Sequence, residues 1–395
     1  MSLDLQTILQ HRQQFPALAN KRYFNYGGQG PMPQSALIAL HNAHDRIQQD
    51  GPFSVAINDE IQEIMKGLRE AIAADLGTTA KSIALTENVS MGCNMALWGM
   101  DWREGDHILL TDCEYPSVMT TVEELRRRFG VKVTTCPIMQ TLNDGDPVQM
   151  IERHLLANTR LVIVSHVLWN TGQVLPLADI VKVCHHYPTQ AYPIQVLVDA
   201  AQSVGVLPLE LDALGADFYA FTGHKWWCGA AGAGGFYVHP NAFDRLSPTF
   251  AGWRGITKGV IGEPPHWKPD CRRFEISTSS FPLYSALREA IATHNQVGTA
   301  AERYQRIGQM SEYLWKRLSE IPQVRCLRTS PPQAGLVSFR IQHPDLNHGQ
   351  WVANLEQQGL FVRKINLPDC IRASVHYLTL EEECDQLVEA IAQAF

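Results

Sequence analysis

The sequence predicts an α/β protein, with a large domain built on a mostly parallel central sheet and a smaller α+β C-terminal domain. Three observations carry that expectation. Short apolar runs alternate with helical stretches between residues 20 and 260. The runs are continuous in Val, Ile and Leu, as strands covered on both faces require. After a proline-bearing segment at 262–270, the order changes to a long helical pattern followed by short strands.

Along the chain, a helix is expected at 5–15, then an aromatic, glycine-rich loop from Tyr23 to Pro31. Helices follow at 35–49 and 57–76, the second with Ile61, Ile64, Met65, Leu68, Ile72 and Leu76 at helical spacing. Strands are expected at 82–85, 107–111, 131–136, 160–166, 195–199, 218–222 and 235–238. Helices at 91–99, 118–128, 148–156 and 177–185 occupy most of the intervals. One long helix is expected from 284 to about 321, then strands at 324–328, 335–341, 361–365 and 372–375. Helices are expected at 349–358 and after 379, the last opening with a capping box from Thr379 to Glu382. The organisation that follows is an N-terminal segment 1–18 packing with the small domain, a large domain 19–282 and a small domain 283–395.

Composition excludes several function classes. The 395 residues carry 33 Lys+Arg against 40 Asp+Glu, a net charge of −7, which leaves no overall basic field for nucleic acid or an anionic membrane. No apolar run approaches the ~18 residues of a membrane span. The first residues lack a basic and an apolar signal region, so a cytoplasmic protein is expected. Nine cysteines are scattered, the nearest pair being Cys370 and Cys384, so they read as reduced, mostly buried thiols. The histidines lack an i, i+4 pair with a carboxylate, and no metal site is expected. The stretch from Gly229 to Gly235 looks dinucleotide-like, but it precedes a strand where that fingerprint must follow one.

Chemistry concentrates at strand ends. The strand 218–222 stops at Thr222, followed by Gly223, His224 and Lys225, where open α/β sheets bind ligands. Lys225 lies between aromatic residues and reads either as a surface lysine or as a desolvated amine able to attack carbonyls. Asp199 ends the apolar strand 195–199 and reads as a helix cap or a ligand anchor. The 26 positions between them hold one helix or loop and one strand, which places both at neighbouring strand ends. Pyridoxal phosphate needs that pair, a lysine for the Schiff base and an acid for the ring nitrogen. The turn from Glu87 to Asn94, with Val89 and Ser90, opens a helix and reads as a phosphate cradle or simple capping.

With these residues the chain resembles the class V aminotransferase and cysteine-desulfurase-like family of fold-type I pyridoxal-phosphate enzymes, collinearly from 23 to 377. The resemblance implies that Thr222-Gly223-His224-Lys225 carries the Schiff-base lysine. It implies that Asp199 and Gln202 hold the pyridine nitrogen and phenolic oxygen, and that Val89, Ser90, Thr222 and His224 hold the phosphate. Asn170, in His166-Val167-Leu168-Trp169-Asn170-Thr171-Gly172, falls near the ring and the substrate carboxylate, with Gly27 also on the substrate side. Thr278 would reach the phosphate of a neighbouring subunit, which implies a homodimer with shared active sites. Tyr115 stands where many relatives stack a histidine on the ring. Trp253 either lines the substrate mouth or sits at a subunit contact.

Arg363 and Arg372 match the arginines that clamp an amino-acid carboxylate. Cysteine desulfurases carry a longer loop between them, bearing the cysteine that takes sulfur. Here nine positions separate the two, and Cys370 sits two residues before Arg372. The resemblance therefore points to the L-cystine/L-cysteine C–S lyase branch: β-elimination to pyruvate, ammonia and a persulfide, with an apo iron–sulfur protein as sulfur acceptor. The alternatives are a desulfurase using Cys370, an epimerase or aminotransferase of the family, and a scaffold that binds cofactor without turnover.

Overall fold

A computed structural model describes residues 3–189, 193–259, 261–343 and 347–395, so the first two residues of the expected N-terminal segment lie outside the described residues. The central sheet has seven strands in the order Ile83–Thr86, Gly234–Val238, Phe218–Thr222, Gln195–Asp199, Thr159–Ser165, His107–Thr111, Lys132–Cys136. Only Gly234–Val238 runs antiparallel to its neighbours; the remaining pairs are parallel. Side-chain alternation explains why the strands read as unbroken apolar runs. Val196 and Val198 enter the core on one face while Leu197 enters the core on the other. Ile163 and Val164 divide in the same way.

Helices cover both faces. Val55–Asp75, capped by the Ser54 hydroxyl, packs Ile57, Ile61, Met65, Leu68 and Ile72 against one face. Helix Phe281–Asn295 joins it through Phe281, Tyr284, Leu287 and Ile291. Val89–Gly99 and Pro116–Phe129 cover the other face. A second sheet of four antiparallel strands, Val324–Cys326, Leu336–Ile341, Asp369–Ser374 and Arg363–Asn366, packs on Ala300–Ser319 and Glu381–Ala392. The N-terminal helix Leu5–Arg12 touches this part of the chain, where Arg12 pairs with Glu383 at 2.7 Å.

Three expectations differ from the structure. The single helix expected from 284 to 321 is two, Phe281–Asn295 and Ala300–Ser319. Gly298 turns the chain with φ of 61°, and Thr299 with Glu302 forms a capping box that starts the second helix. The capping box expected at Thr379 does not form, because the Thr379 hydroxyl accepts from the His376 amide. Glu383 instead accepts from the Leu380 amide, one residue further on. The strand expected at 361–365 is also divided. Leu360–Phe361 pairs with Arg22–Tyr23, and Arg363–Asn366 pairs with Asp369–Ser374.

Candidate active site

The carboxyl ends of the parallel strands open into a cleft of about 1360 Å³. Asp199 is buried at the end of its strand, beside Ser165 on one neighbour and Ala220 on the other. Its carboxylate accepts from the Ala201 amide at 3.0 Å. Burial raises its pKa, an effect that the same bond and the Lys225 charge oppose.

Lys225 stands three residues beyond the next strand, in a turn closed by the Cys228 amide donating to the Lys225 carbonyl. It keeps partial contact with solvent at the cleft floor. Burial, with Arg372 and Arg363 adding to it against the pull of Asp199, lowers its ammonium to about 8. A neutral amine is thus within reach near physiological pH. Gly30 makes this approach feasible: its amide donates to the His224 carbonyl, and a Cβ there would fall 2.2 Å from the Lys225 oxygen.

The residues expected to cradle a phosphate also meet here. Asn88 caps the helix Val89–Gly99 by accepting from the Met91 amide, and Ser90 places its hydroxyl 3.0 Å from that of Ser117. Thr222 is buried behind the cleft and bonds His224 Nδ1 at 2.6 Å. Burial and the Lys225 charge hold that imidazole near 4, so it is neutral.

On the opposite wall, Asn170 donates to the Leu367 carbonyl at 3.0 Å while its own Oδ1 is buried without a partner. Arg372 donates to the Trp169 carbonyl at 2.6 Å and leaves Nε buried and unpaired. Burial and the neighbouring Arg363 push its guanidinium down to about 10. Gly27 lies against it, where a Cβ would come 3.0 Å from the guanidinium. Gln202 has both ends of its amide engaged, accepting from the Trp226 indole and donating to the Gly27 carbonyl. Tyr115 is half-exposed and meets Trp169 edge-on at 5.5 Å.

Gly27, Val89, Ser90, Tyr115, Asn170, Asp199, Gln202, His224, Lys225, Arg363 and Arg372 therefore line one cleft. Thr278 and Trp253 do not line it; both are exposed, and the Trp253 indole bonds Ser277. Sequence reasoning passed over Glu114 and Trp169, although Trp169 lies inside a quoted motif and Glu114 directly precedes Tyr115. Glu114 is buried in the wall with three donors, from Thr111, the Ser165 amide and the Ser165 hydroxyl. Burial raises its carboxyl to about 8. The signal available was its place just past a buried strand end. Among the described residues no group of His, Cys, Asp and Glu is arranged to hold a metal, and no helix is long and apolar enough to cross a membrane.

A lysine amine beside a buried carboxylate, at the ends of adjacent parallel strands in a sheet of this order, places the protein among the fold-type I pyridoxal-phosphate enzymes. Residues 23–387 match the family described as aminotransferase class-V, and the chain belongs to it. Among curated relatives, isopenicillin N epimerase of Streptomyces clavuligerus is 27% identical, covering 93% of each chain. Cysteine desulfurase of Haloferax volcanii is 26% identical over 92% of this chain and 80% of its own. Two solved structures are nearer. The cystine C–S lyase C-DES, in complex with its reaction product cysteine persulfide, superposes with a TM-score of 0.93 at 50% identity, covering 96% and 99% of the two chains. A lysine-to-alanine mutant of C-DES, with glycine covalently linked to its PLP cofactor, has a TM-score of 0.94 at 49% identity, covering 96% and 98%.

The side chains present suit that cofactor. The helix N-terminus with Ser90 offers donors for a phosphate, and Asp199 is an acid buried deeply enough to hold a ring proton. The orphaned polar atoms of Asn170 and Arg372 are groups that a bound anionic ligand would satisfy.

Proposed function

We propose that the protein is a carbon–sulfur lyase acting on L-cystine, and more slowly on L-cysteine. Its cofactor is pyridoxal 5′-phosphate. One observation carries the choice of lyase over desulfurase. The segment between the arginines closes as a tight hairpin, with Asn366 paired to Asp369, and Cys370 is buried opposite Ile365. No cysteine-bearing loop is available there to collect sulfur. Cys113 is the one cysteine on the described cleft wall, and burial pushes its thiol up, away from the nucleophilic form. The likeness to C-DES over nearly the whole chain supports the same reading.

Bound pyridoxal phosphate supplies an electron sink for the charge that develops at the substrate Cα. Arg372 and Arg363 receive the substrate carboxylate, and Asn170 adds an amide beside it. Asp199 keeps a proton on the ring nitrogen, while His224 and Ser90 hold the phosphate end. Lys225, as a neutral amine, would take the Cα proton. With cystine, the Cβ–S bond breaks and the electron pair leaves on cysteine persulfide. Water then completes the change of the remaining three-carbon unit to pyruvate and ammonia. A persulfide leaves more readily than a thiolate because its conjugate acid is stronger, which ranks cystine above cysteine. Thr278 is read as a phosphate contact from the second subunit of a homodimer, and Trp253 as part of the mouth it completes. An apo iron–sulfur protein is the proposed sulfur acceptor, in the cytoplasm.

The deciding experiment incubates the purified holoenzyme with cystine and with cysteine and assays pyruvate, alanine and persulfide together. Pyruvate and persulfide in equal amounts from cystine are expected, and Cys370→Ser should retain them. Alanine without pyruvate would overturn the lyase reading.

A further inference from the structure

The residues after Lys225 form the centre of its turn, Lys225 to Cys228, and Cys228 takes a left-handed φ of 53° to close it. The carbonyls of Trp226 and Trp227 receive no backbone amide of the turn, the Cys228 thiol making only a long 3.8 Å bond to the first, and need stronger donors elsewhere. Two buried histidines stand against them. His376 Nε2 lies 3.2 Å from the Trp226 oxygen, and His294 Nε2 lies 3.0 Å from the Trp227 oxygen.

A carbonyl only accepts, so hydrogen-bond logic assigns the proton to Nε2 in both rings. The assignment then propagates. His294 Nδ1 must accept from the Tyr377 hydroxyl at 2.5 Å, and the Tyr377 oxygen accepts from His11 Nε2 at 3.2 Å. His11 Nδ1 accepts in turn from the Gln14 amide at 3.1 Å. A directed line of donors thus runs from the N-terminal helix to the backbone behind Lys225. It is complete only when His11 and His294 are neutral, and burial holds His11 near 4 and His294 well below its usual value. The charges facing the cluster are Arg303, bound to the His294 and Gly298 carbonyls and 3.7 Å from Asp75, and the Arg12–Glu383 pair.

We propose that Tyr377 is a positioning residue for Lys225, holding the lysine's turn through His294 and tying it through His11 to the N-terminal helix. The inference rests on Lys225 carrying the cofactor. Proton removal by a lysine is steeply sensitive to placement, whereas the arginine clamp lies on another wall of the cleft. Loss of the Tyr377 hydroxyl should therefore change kcat and the cofactor's electronic environment, and leave substrate binding alone.

The test compares holoenzymes of the parent and Tyr377→Phe, which keeps the ring and loses the donor. Expected is a kcat lower by on the order of tenfold with KM within about twofold. The pH midpoint of the cofactor absorbance change, recorded without substrate, should also move by roughly half a unit. Should Tyr377→Phe not accumulate as folded protein, His11→Phe, at the outer end of the line, should show the same changes in smaller measure. An unmoved midpoint and kcat in a folded variant would overturn the inference. A parent cofactor band indifferent to Lys225→Ala would instead overturn the placement of the cofactor on that lysine.

Discussion

Arg363 and Arg372 stand directly opposite each other across a hairpin, paired in register although nine positions apart in sequence. Like charges placed so are unfavourable, and neither has a carboxylate partner among its described ion pairs. An arrangement that costs stability and leaves Arg372 Nε buried and unpaired is suited to an incoming carboxylate.

Arg363→Gln should accordingly weaken substrate capture without harming the fold. KM for cystine should rise about tenfold to a hundredfold, as for a lost charge-assisted pair. The melting temperature of the substrate-free protein should hold or rise, because one of two facing cations is gone. A lowered melting temperature with unchanged KM would show that the arginine serves the hairpin alone.

Lys225 predicts the pH course of cofactor capture. Its ammonium is held near 8, chiefly by burial, and only the neutral amine attacks an aldehyde. Reconstitution of the cofactor-free protein with pyridoxal phosphate, followed by absorbance, should accelerate as pH rises through about 8 and then level off. A rate that keeps climbing towards pH 10 would assign Lys225 an ordinary lysine pKa. Lys225→Ala should abolish turnover.

How much of this was legible in the sequence depended on whether a feature is local. Asp199 and Lys225 each end an unbroken apolar strand, and a parallel sheet has only one end at which such residues can meet. The break at Gly298 was equally local, yet the helical spacing on both sides runs through it and hides it. The division between Phe361 and Arg363 was not legible, because it depends on Arg22–Tyr23 arriving from the far end of the chain. The histidine line behind Lys225 joins residues 11, 294, 376 and 377, and no periodicity brings those together.

Glu114 offers a separate check on the electrostatics of the wall. Burial, and to a lesser degree Asp199, raises its folded pKa to about 8 from an ordinary 4.5, despite its three donors. The folded state then binds the extra proton between those values, so this group's contribution to stability falls as pH rises from about 4.5 to 8. Glu114→Gln is neutral throughout and nearly isosteric, and the Ser165 hydroxyl can rotate to accept from the new amide. The variant should melt higher than the parent at pH 8.5, with a smaller gain at pH 5.5. An equal difference at both values would mean that Glu114 does not titrate in this range.

The buried histidines give the opposite sign. His11 and His376 fall to about 4 and about 3 when folded, from 6.5, because burial penalises the cation and Arg303 adds to it. Below about 6.5 the unfolded chain takes up protons that the folded chain refuses, so their contribution to stability is lost as pH drops from 6.5 towards 4. Glu114 and the buried Asp75, whose carboxyl is also raised, act the other way over part of that window, so the net curve alone does not isolate the histidines. A substitution that removes one titration does. His11→Gln keeps an amide donor for Tyr377 and cannot be protonated, and His11 lies at the edge of the cluster, where the change disturbs least. Its urea midpoint should fall less between pH 7 and pH 5 than that of the parent, even where the two differ slightly at pH 7. Parallel pH curves for the two proteins would show that His11 takes up its proton as readily in the folded state as in the unfolded one. The tautomer line from Gln14 to Trp227 would then break as pH falls through about 6.5, because a protonated His11 has no acceptor to offer Gln14.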